Sequence, residues 1–292
     1  EVVTRMRGSV AAPLVFDSTE LPVLEVAMKL YGGKPILNSI NFEDGEEAAH
    51  QRLELALRFG SAVIALTIDE EGMAKSAERK VEVAKRLHDF ACLQHGLPAS
   101  DLIIDPLTFT ICTGNEDDRK LGLWTLEAIE GIARELPDCQ ILLGLSNISF
   151  GLNAAARHVL NSVFLDHAIK RGLNGAIVHV SKIMPLHKIP EEEVRVAEDL
   201  IFDRREGDHD PLAAFIAHVA SQGAPGERPT EHRREVDDVR RAGQLHDVHR
   251  VGGTREGDDR HRGRDRRRAG ARAQAHRDLR GWPPYRGSHA AD

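Results

Sequence analysis

Short apolar runs alternate with longer amphipathic segments over the first two-thirds of the chain. The runs are short and bounded by turn-forming or polar residues, as expected of buried strands in a parallel sheet. The pattern predicts strands at Pro13–Phe16, Pro35–Asn38, Ala62–Ile68, Leu102–Ile104, Gln140–Leu145 and Gly175–Val180.

Segments with helical periodicity lie between these strands. One of them places Val83, Ala84 and Leu87 on a single stripe, and Ser76 stands where it can cap the helix N-terminus. The predicted helices are Leu21–Leu30, Glu47–Phe59, Ser76–Gln94, Asp117–Glu135, Arg157–Arg171 and Glu191–Arg204. Repeated strand–helix units predict a parallel sheet with right-handed crossovers, which either an open doubly wound sheet or a (β/α)8 barrel satisfies.

Polar residues follow the predicted strands at their carboxyl ends. A single residue of this kind is usually the N-cap of the next helix. Here the pattern occurs six times in succession, at Asp17, Asn38, Asp69, Asp105, Asn147 and His179. This repetition favours a (β/α)8 barrel, in which the strand ends converge on one rim that holds the active site. No glycine-rich phosphate loop follows the predicted strands, which disfavours a nucleotide-binding open sheet.

The predicted rim is rich in carboxylates and amides and poor in basic side chains. A phosphate site would require Arg, Lys or a glycine-rich nest. A neutral heterocycle with adjacent N–H donors, such as a pterin ring, suits a carboxylate that accepts two hydrogen bonds. The alternative is a divalent cation bound by several aspartates and His179, but the sequence lacks an HxH or carboxylate–His spacing, so no metal site is predicted.

The composition of the chain changes near residue 220. All nine phenylalanines precede residue 216 and no lysine follows Lys188, whereas arginine, aspartate, histidine and glycine dominate from Ser221 onward. Such a segment has too little apolar surface to offset its chain entropy. We therefore predict a partial barrel over residues 1–205, a boundary segment over 206–220 and a disordered tail over 221–292.

The arginines of the predicted tail are interleaved with acidic residues, and only Trp282 and Tyr285 could stack on bases. This pattern disfavours a nucleic-acid-binding tail. Arginine without lysine is also typical of a GC-rich gene read in a shifted frame. Sequencing the coding DNA around residue 220 would test that hypothesis.

Bulk properties exclude some classes of partner. The formal net charge of −7 gives no general attraction for nucleic acid, and no apolar run approaches the roughly 20 residues needed to span a bilayer. The three cysteines, Cys92, Cys112 and Cys139, are far apart in the sequence, which favours a reducing compartment. We expect a cytoplasmic protein that binds neither nucleic acid nor membranes.

Five motifs, taken in order, resemble the pterin-binding domain of cobalamin-dependent methionine synthases. The motifs are FDST (16–19), ILNSIN (36–41), IDEEGMA (68–74), IIDPLTF (103–109) and GLSNISFG (144–151). The resemblance extends over residues 10–205 and implies a TIM-barrel-like (β/α)8 pterin-binding fold, here incomplete, with about six β/α units. Dihydropteroate synthases share the barrel but are expected to carry a basic Ser-Arg type motif where this chain has Ser146-Asn147. They remain an alternative, as do other corrinoid methyltransferases and an inactive fragment.

The resemblance also implies a reaction. Members of this family bind 5-methyltetrahydrofolate and transfer its N5 methyl group to Co(I) cobalamin, which a separate domain holds. Carried over to this sequence, Asp17, Asn38 and Asp105 would bind the pterin as substrate and Asp69 would line the same rim. Asn147 would lie near N5 as the catalytic residue. Zinc would be needed only by a homocysteine domain that is not expected here.

Two features depart from the family pattern. The family barrel has eight strands, whereas this chain opens in what resembles the helix before the third strand, so we expect an internal fragment of a larger enzyme. His179 stands where the family usually has an asparagine.

Overall fold

The computed structural model describes residues 1–222, with side chains described through Val219. The strands are β1 (Val15–Asp17), β2 (Ile36–Ile40), β3 (Ala62–Leu66), β4 (Ile68–Asp69), β5 (Gly72–Met73), β6 (Leu102–Asp105), β7 (Gln140–Leu143) and β8 (Gly175–Ala176). Six of them pair in parallel in the order β1-β2-β3-β6-β7-β8, and β4 and β5 form a small antiparallel hairpin. The predicted parallel sheet is therefore confirmed.

Helices alternate with the strands of the sheet. They are α1 (Val2–Met6), α2 (Leu21–Leu30), α3 (Glu46–Phe59), α4 (Ala77–His88), α5 (Leu121–Glu135), α6 (Ala154–Lys170), α7 (Glu191–Ile201) and α8 (Pro211–Gln222). Over residues 1–222, the result is an incomplete (β/α) barrel with a six-stranded parallel sheet, as the sequence predicts. In the described part of the chain, no helix combines the length and apolar character needed to cross a bilayer.

Local sequence signals set several helix ends. The hydroxyl of Ser76 accepts a hydrogen bond from the Arg79 N–H at 3.2 Å, which confirms this residue as the N-cap of α4. Asn153 caps α6 in the same way. Gly60 ends α3 with φ of 60°, a left-handed conformation that glycine adopts at little cost. The predicted continuation of α4 to Gln94 is a π-helix over Asp89–Gln94.

The hydrophobic core lies between the sheet and the surrounding helices. Strand β3 is central in the sheet and buries nearly all of its side chains, which explains its continuous apolar run. Leu37 and Ile104 from the adjoining strands are fully buried, and so is Phe164 from α6 in the same core. Each such side chain contributes roughly 1.5–3 kcal/mol relative to exposure.

The segment predicted as a boundary contains a helix that the sequence analysis did not predict. Helix α8 packs against α7, with Phe215 fully buried and Val219 nearly so. Its apolar positions Leu212, Phe215, Ile216 and Val219 follow the i, i+3, i+4, i+7 spacing of an amphipathic helix. The division into domains near residues 205 and 220 stays a prediction, and the predicted tail beyond residue 222 lies outside the described residues.

Truncation of Phe215 tests whether α8 is part of the folded unit. We expect Phe215→Ala to lower the free energy of unfolding by about 3–5 kcal/mol, because a fully buried aromatic side chain is lost. Urea denaturation followed by circular dichroism measures the change. Leu93→Ala, at an exposed position, is the control and should change stability by less than about 0.5 kcal/mol; equal effects would mean that α8 does not stabilise the barrel.

Candidate functional site

Parallel pairing brings the carboxyl ends of the strands to one edge of the sheet. Asp17 and Asn38 are direct register partners on β1 and β2. Asp105, at the end of β6, is level with Leu66 at the end of β3. Because adjacent strands lie about 4.8 Å apart, three of the predicted site residues lie within the width of a few strands.

Asp17 and Asn38 line one small cavity at this edge. It has a volume of about 160 Å³ and is also lined by Ser18, Asn41 and Arg52. Arg52 donates to the carbonyls of Thr19 and Ala48 and so fixes one wall. The side chains of Asp17 and Asn38 form no hydrogen bond with any described residue, so both are available to a ligand.

Asp105 is a buried carboxylate at the end of β6, only 7% exposed. Its Oδ1 accepts a hydrogen bond from the Leu107 N–H at 2.8 Å. Burial raises the pKa of Asp105 to about 6, and the N–H groups of Leu107 and Gly144 and the positive charge of Lys80 oppose that rise. The carboxylate is therefore mostly ionised at neutral pH and can accept further hydrogen bonds.

Asn147 follows β7, the strand that pairs with β6. It belongs to a 3-10 helix, Leu145–Ser149, that directly follows β7, and its side chain is exposed. Gly144 is close to both residues. Its N–H lowers the pKa of Asp105, and a Cβ at this glycine would lie 3.5 Å from the Asn147 amide nitrogen. Arg157 from α6 holds the loop by donating to Ser149 Oγ and the Ser146 carbonyl, both at 3.1 Å.

Asp69 differs from the other predicted residues because its oxygens already have partners. It is buried and pairs with Arg79 from α4, while its Oδ1 accepts the Glu71 N–H at 3.0 Å. It does not line the cavity of Asp17 and Asn38. Its role in substrate binding stays a prediction.

His179 follows β8 and is exposed. Its Nδ1 lies 2.9 Å from Ser181 Oγ. It lines a second cavity of about 250 Å³ with Arg157, His158 and Lys182, beside Ser146. The structure therefore places His179 near the Asn147 loop but in a basic cavity, separate from Asp17 and Asn38.

The sequence analysis missed the basic residues that hold this edge in place. Lys80 and Arg79 on α4 and Arg157 on α6 each bond a loop that bears a predicted site residue. One signal was present: Lys80 lies at the i−3, i−4 and i−7 positions of the stripe formed by Val83, Ala84 and Leu87. A lysine on the apolar stripe of a helix is rarely buried without a partner.

Comparison with known proteins decides the family. The sequence profile described as pterin binding enzyme matches residues 1–179, which include all of the strand ends discussed above. The chain belongs to the pterin-binding enzyme family. Asp17, Asn38, Asp105 and Asn147 therefore lie on the sheet edge of a pterin-binding barrel.

Two curated relatives share high identity with this pterin-binding chain. It is 49% identical over 218 residues to the methionine synthase of Mycobacterium tuberculosis (strain ATCC 25618 / H37Rv), covering 74% of this chain. It is 47% identical over 221 residues to that of Mycobacterium leprae (strain TN), covering 75%. The chain spans only 18% of the length of either relative.

Solved structures of dihydropteroate synthase are distant matches. The Yersinia pestis enzyme with a sulfonamide drug matches with a TM-score of 0.43 and 14% identity, covering 68% of this chain and 69% of that one. A second structure of the same enzyme gives 0.42 and 15%, covering 68% and 75%.

The Asp69–Arg79 pair gives a test of what holds this edge of the sheet. We expect Arg79→Met to lower the free energy of unfolding by about 1–3 kcal/mol, because it leaves the buried Asp69 carboxylate without its cation. Urea denaturation at neutral pH measures the loss. Glu82→Gln removes an exposed partner of the same arginine and should change stability much less; a similar loss in both variants would contradict a specific role for Asp69.

Proposed function

We propose that this chain is the folate-binding part of a methionine synthase, which binds 5-methyltetrahydrofolate and transfers its N5 methyl group to cobalamin. The supporting observation is the pair formed by the Asp105 carboxylate and the Asn147 amide on adjacent strand ends of a pterin-binding family barrel. The identity of 47–49% with mycobacterial methionine synthases favours this reaction over that of other pterin-binding enzymes.

Asp105 is suited to recognise the pterin ring. The 2-amino group and the neighbouring ring N–H of a pterin are adjacent donors, and one carboxylate can accept both. The Leu107 N–H occupies only part of the acceptor capacity of Asp105. Asp17 and Asn38 would bind further polar groups of the substrate from the small cavity they share, and Asp69 would contribute to the same rim.

Asn147 is suited to the reacting end of the substrate. A tertiary amine is a poor leaving group, so N5 must gain a proton, or nearly so, as the methyl group leaves. The amide oxygen of Asn147 would accept a hydrogen bond from that proton, which solvent supplies, and so stabilise the protonated N5. When the methyl group leaves, the electron pair of the C–N bond stays on N5, and the product is a neutral secondary amine. One preorganised contact of this kind accelerates a reaction by about 10²–10³.

Cobalamin would be the methyl acceptor and would supply the nucleophile when bound by a separate module. The site residues of this chain are carboxylates and amides, which suit the adjacent N–H donors of a pterin ring. We accordingly assign no cobalamin contact to this chain. Zinc and homocysteine would belong to another part of the enzyme, and we propose a cytoplasmic location.

Removing the charge of Asp105 tests pterin binding. We expect Asp105→Asn to weaken the affinity of the full chain for 5-methyltetrahydrofolate by about 10- to 100-fold, because hydrogen bonds to a charged group contribute about 1.5–3 kcal/mol. Isothermal titration calorimetry measures the affinity. Asp101→Asn is the matched control, since Asp101 lies just before the other end of β6 in an ion pair with Lys34. If both variants bind as well as the wild type, or if dihydropterin pyrophosphate binds in preference to the folate, the proposal is wrong.

Truncation of Asn147 tests the catalytic step. We expect Asn147→Ala to slow methyl transfer to added reduced cobalamin by about 10²–10³, with a much smaller loss of folate affinity. Single-turnover kinetics and calorimetry measure the two quantities. Asn174→Ala, beside the amino-terminal end of β8, should leave transfer unaffected in any protein that folds. Equal losses of rate and affinity at Asn147 would contradict a catalytic role.

A further inference from the structure

Helix α4 places a lysine inside the protein. The side chain of Lys80 is fully buried and lies on the same face of the helix as Val83, Ala84 and Leu87. An ammonium group in such surroundings loses its hydration and persists only if other groups bind it. The groups that bind the Lys80 ammonium therefore indicate its structural role.

The ammonium of Lys80 contacts uncharged groups directly. Its Nζ donates to Thr125 Oγ1 at 2.6 Å and to the carbonyl of Leu107 at 2.9 Å, and it lies 5.3 Å from the centre of the Phe109 ring. Thr125 Oγ1 in turn donates to the Leu121 carbonyl at 2.8 Å. The lysine thus connects α4, α5 and the loop that follows β6.

Both backbone polar groups of Leu107 form hydrogen bonds. Its carbonyl accepts from Lys80, and its N–H donates to Asp105 Oδ1 at 2.8 Å. Its φ is 63°, a left-handed conformation that is unfavourable for a side chain such as leucine. The two hydrogen bonds hold Leu107 in this conformation, with its N–H directed at the Asp105 carboxylate.

Lys80 and Asp105 also influence each other through charge. Burial raises the pKa of Asp105 to about 6 and lowers the pKa of Lys80 to about 7, and in each case the opposite charge counters the effect of burial. On α5 the lysine contacts Thr125, which is uncharged. Arg79, which precedes Lys80 on α4, pairs with Asp69 on β4. Neither residue is among the groups that shift the pKa of Asp105 or Lys80.

We propose that Lys80 is a positioning residue of the pterin site: its buried ammonium fixes Leu107 through the carbonyl and keeps the Asp105 carboxylate ionised and oriented. This inference rests on the proposed function insofar as Asp105 binds the pterin. Lys80 itself contacts no substrate. It acts on Asp105 from the protein interior, through the hydrogen bonds of Leu107 and through its positive charge.

The pH dependence of folate binding tests the proposal. Binding requires ionised Asp105, so it is present above the pKa of that residue and is lost as the pH falls through it. Lys80→Met keeps the apolar stem but removes the charge that counters burial, so the midpoint should move upward by about one pH unit. The affinity of the full chain for 5-methyltetrahydrofolate should then fall by about tenfold below pH 6, and the difference from wild type should shrink toward pH 9. A constant ratio of affinities at every pH would mean a purely structural role and would overturn the proposal.

Two controls accompany this measurement. Lys85→Met changes an exposed lysine on the same helix that pairs with Glu135, and it should leave the midpoint unchanged. If circular dichroism shows that Lys80→Met does not fold, Thr125→Val serves instead. That variant keeps the lysine but removes the hydroxyl that binds its ammonium, so the midpoint should rise by a smaller amount. No rise in Thr125→Val would likewise overturn the proposal.

A ligand-free measurement separates this inference from the proposed function. The carboxyl carbons of ¹³C-labelled aspartates are titrated by NMR in the full chain, and the Asp105 signal is identified by its absence in Asp105→Asn. The Asp105 midpoint should rise in Lys80→Met without any folate present, and an unchanged midpoint would refute the coupling. If the midpoint rises but the wild type binds no folate, the coupling stands and the proposed function fails.

Discussion

Parallel pairing of six strands is the constraint on which every other feature depends. In a parallel sheet, all carboxyl ends point to the same edge, so residues far apart in sequence meet there. Asp17 and Asn38 become register partners in this way, and Asp105 and Asn147 come together around Gly144. Each strand supplies one or two polar groups, and none would form a site alone.

Much of this arrangement could be predicted because the end of a buried strand is marked in the sequence by a change from apolar to polar residues. A buried parallel strand must be apolar along its length, so the first polar residue after it marks both the strand end and the sheet edge. The prediction is weakest at the edge of the sheet. β8 ends at Ala176, four residues earlier than predicted, and Ile177 and Val180 beyond it are largely exposed. A strand with a neighbour on one side only has fewer hydrogen bonds to extend it.

Other parts of the site could not be predicted, because they depend on contacts between distant elements. Nothing in the sequence around Asp69 reveals that Arg79 engages it, nor that Lys80 supports the loop of Asp105 from beneath. Both partners come from one helix, α4, whose amphipathic pattern reports only which face is buried. The burial of ionisable groups at this edge also lowers stability, since each charged form loses hydration. Sites that hold a carboxylate in a defined state commonly tolerate such a cost, because an exposed carboxylate would be less selective.

The open edges of the sheet bear on how the molecule behaves in solution. In the described part of the chain, β1 and β8 each have one paired neighbour, so their outer N–H and C=O groups can accept another strand. These edge strands are only three and two residues long, respectively. Short edges offer few consecutive hydrogen bonds, and self-association by strand addition is correspondingly weak. The short length of β1 and β8 thus protects the sheet against aggregation. A closed barrel has no edge strands and needs no such protection.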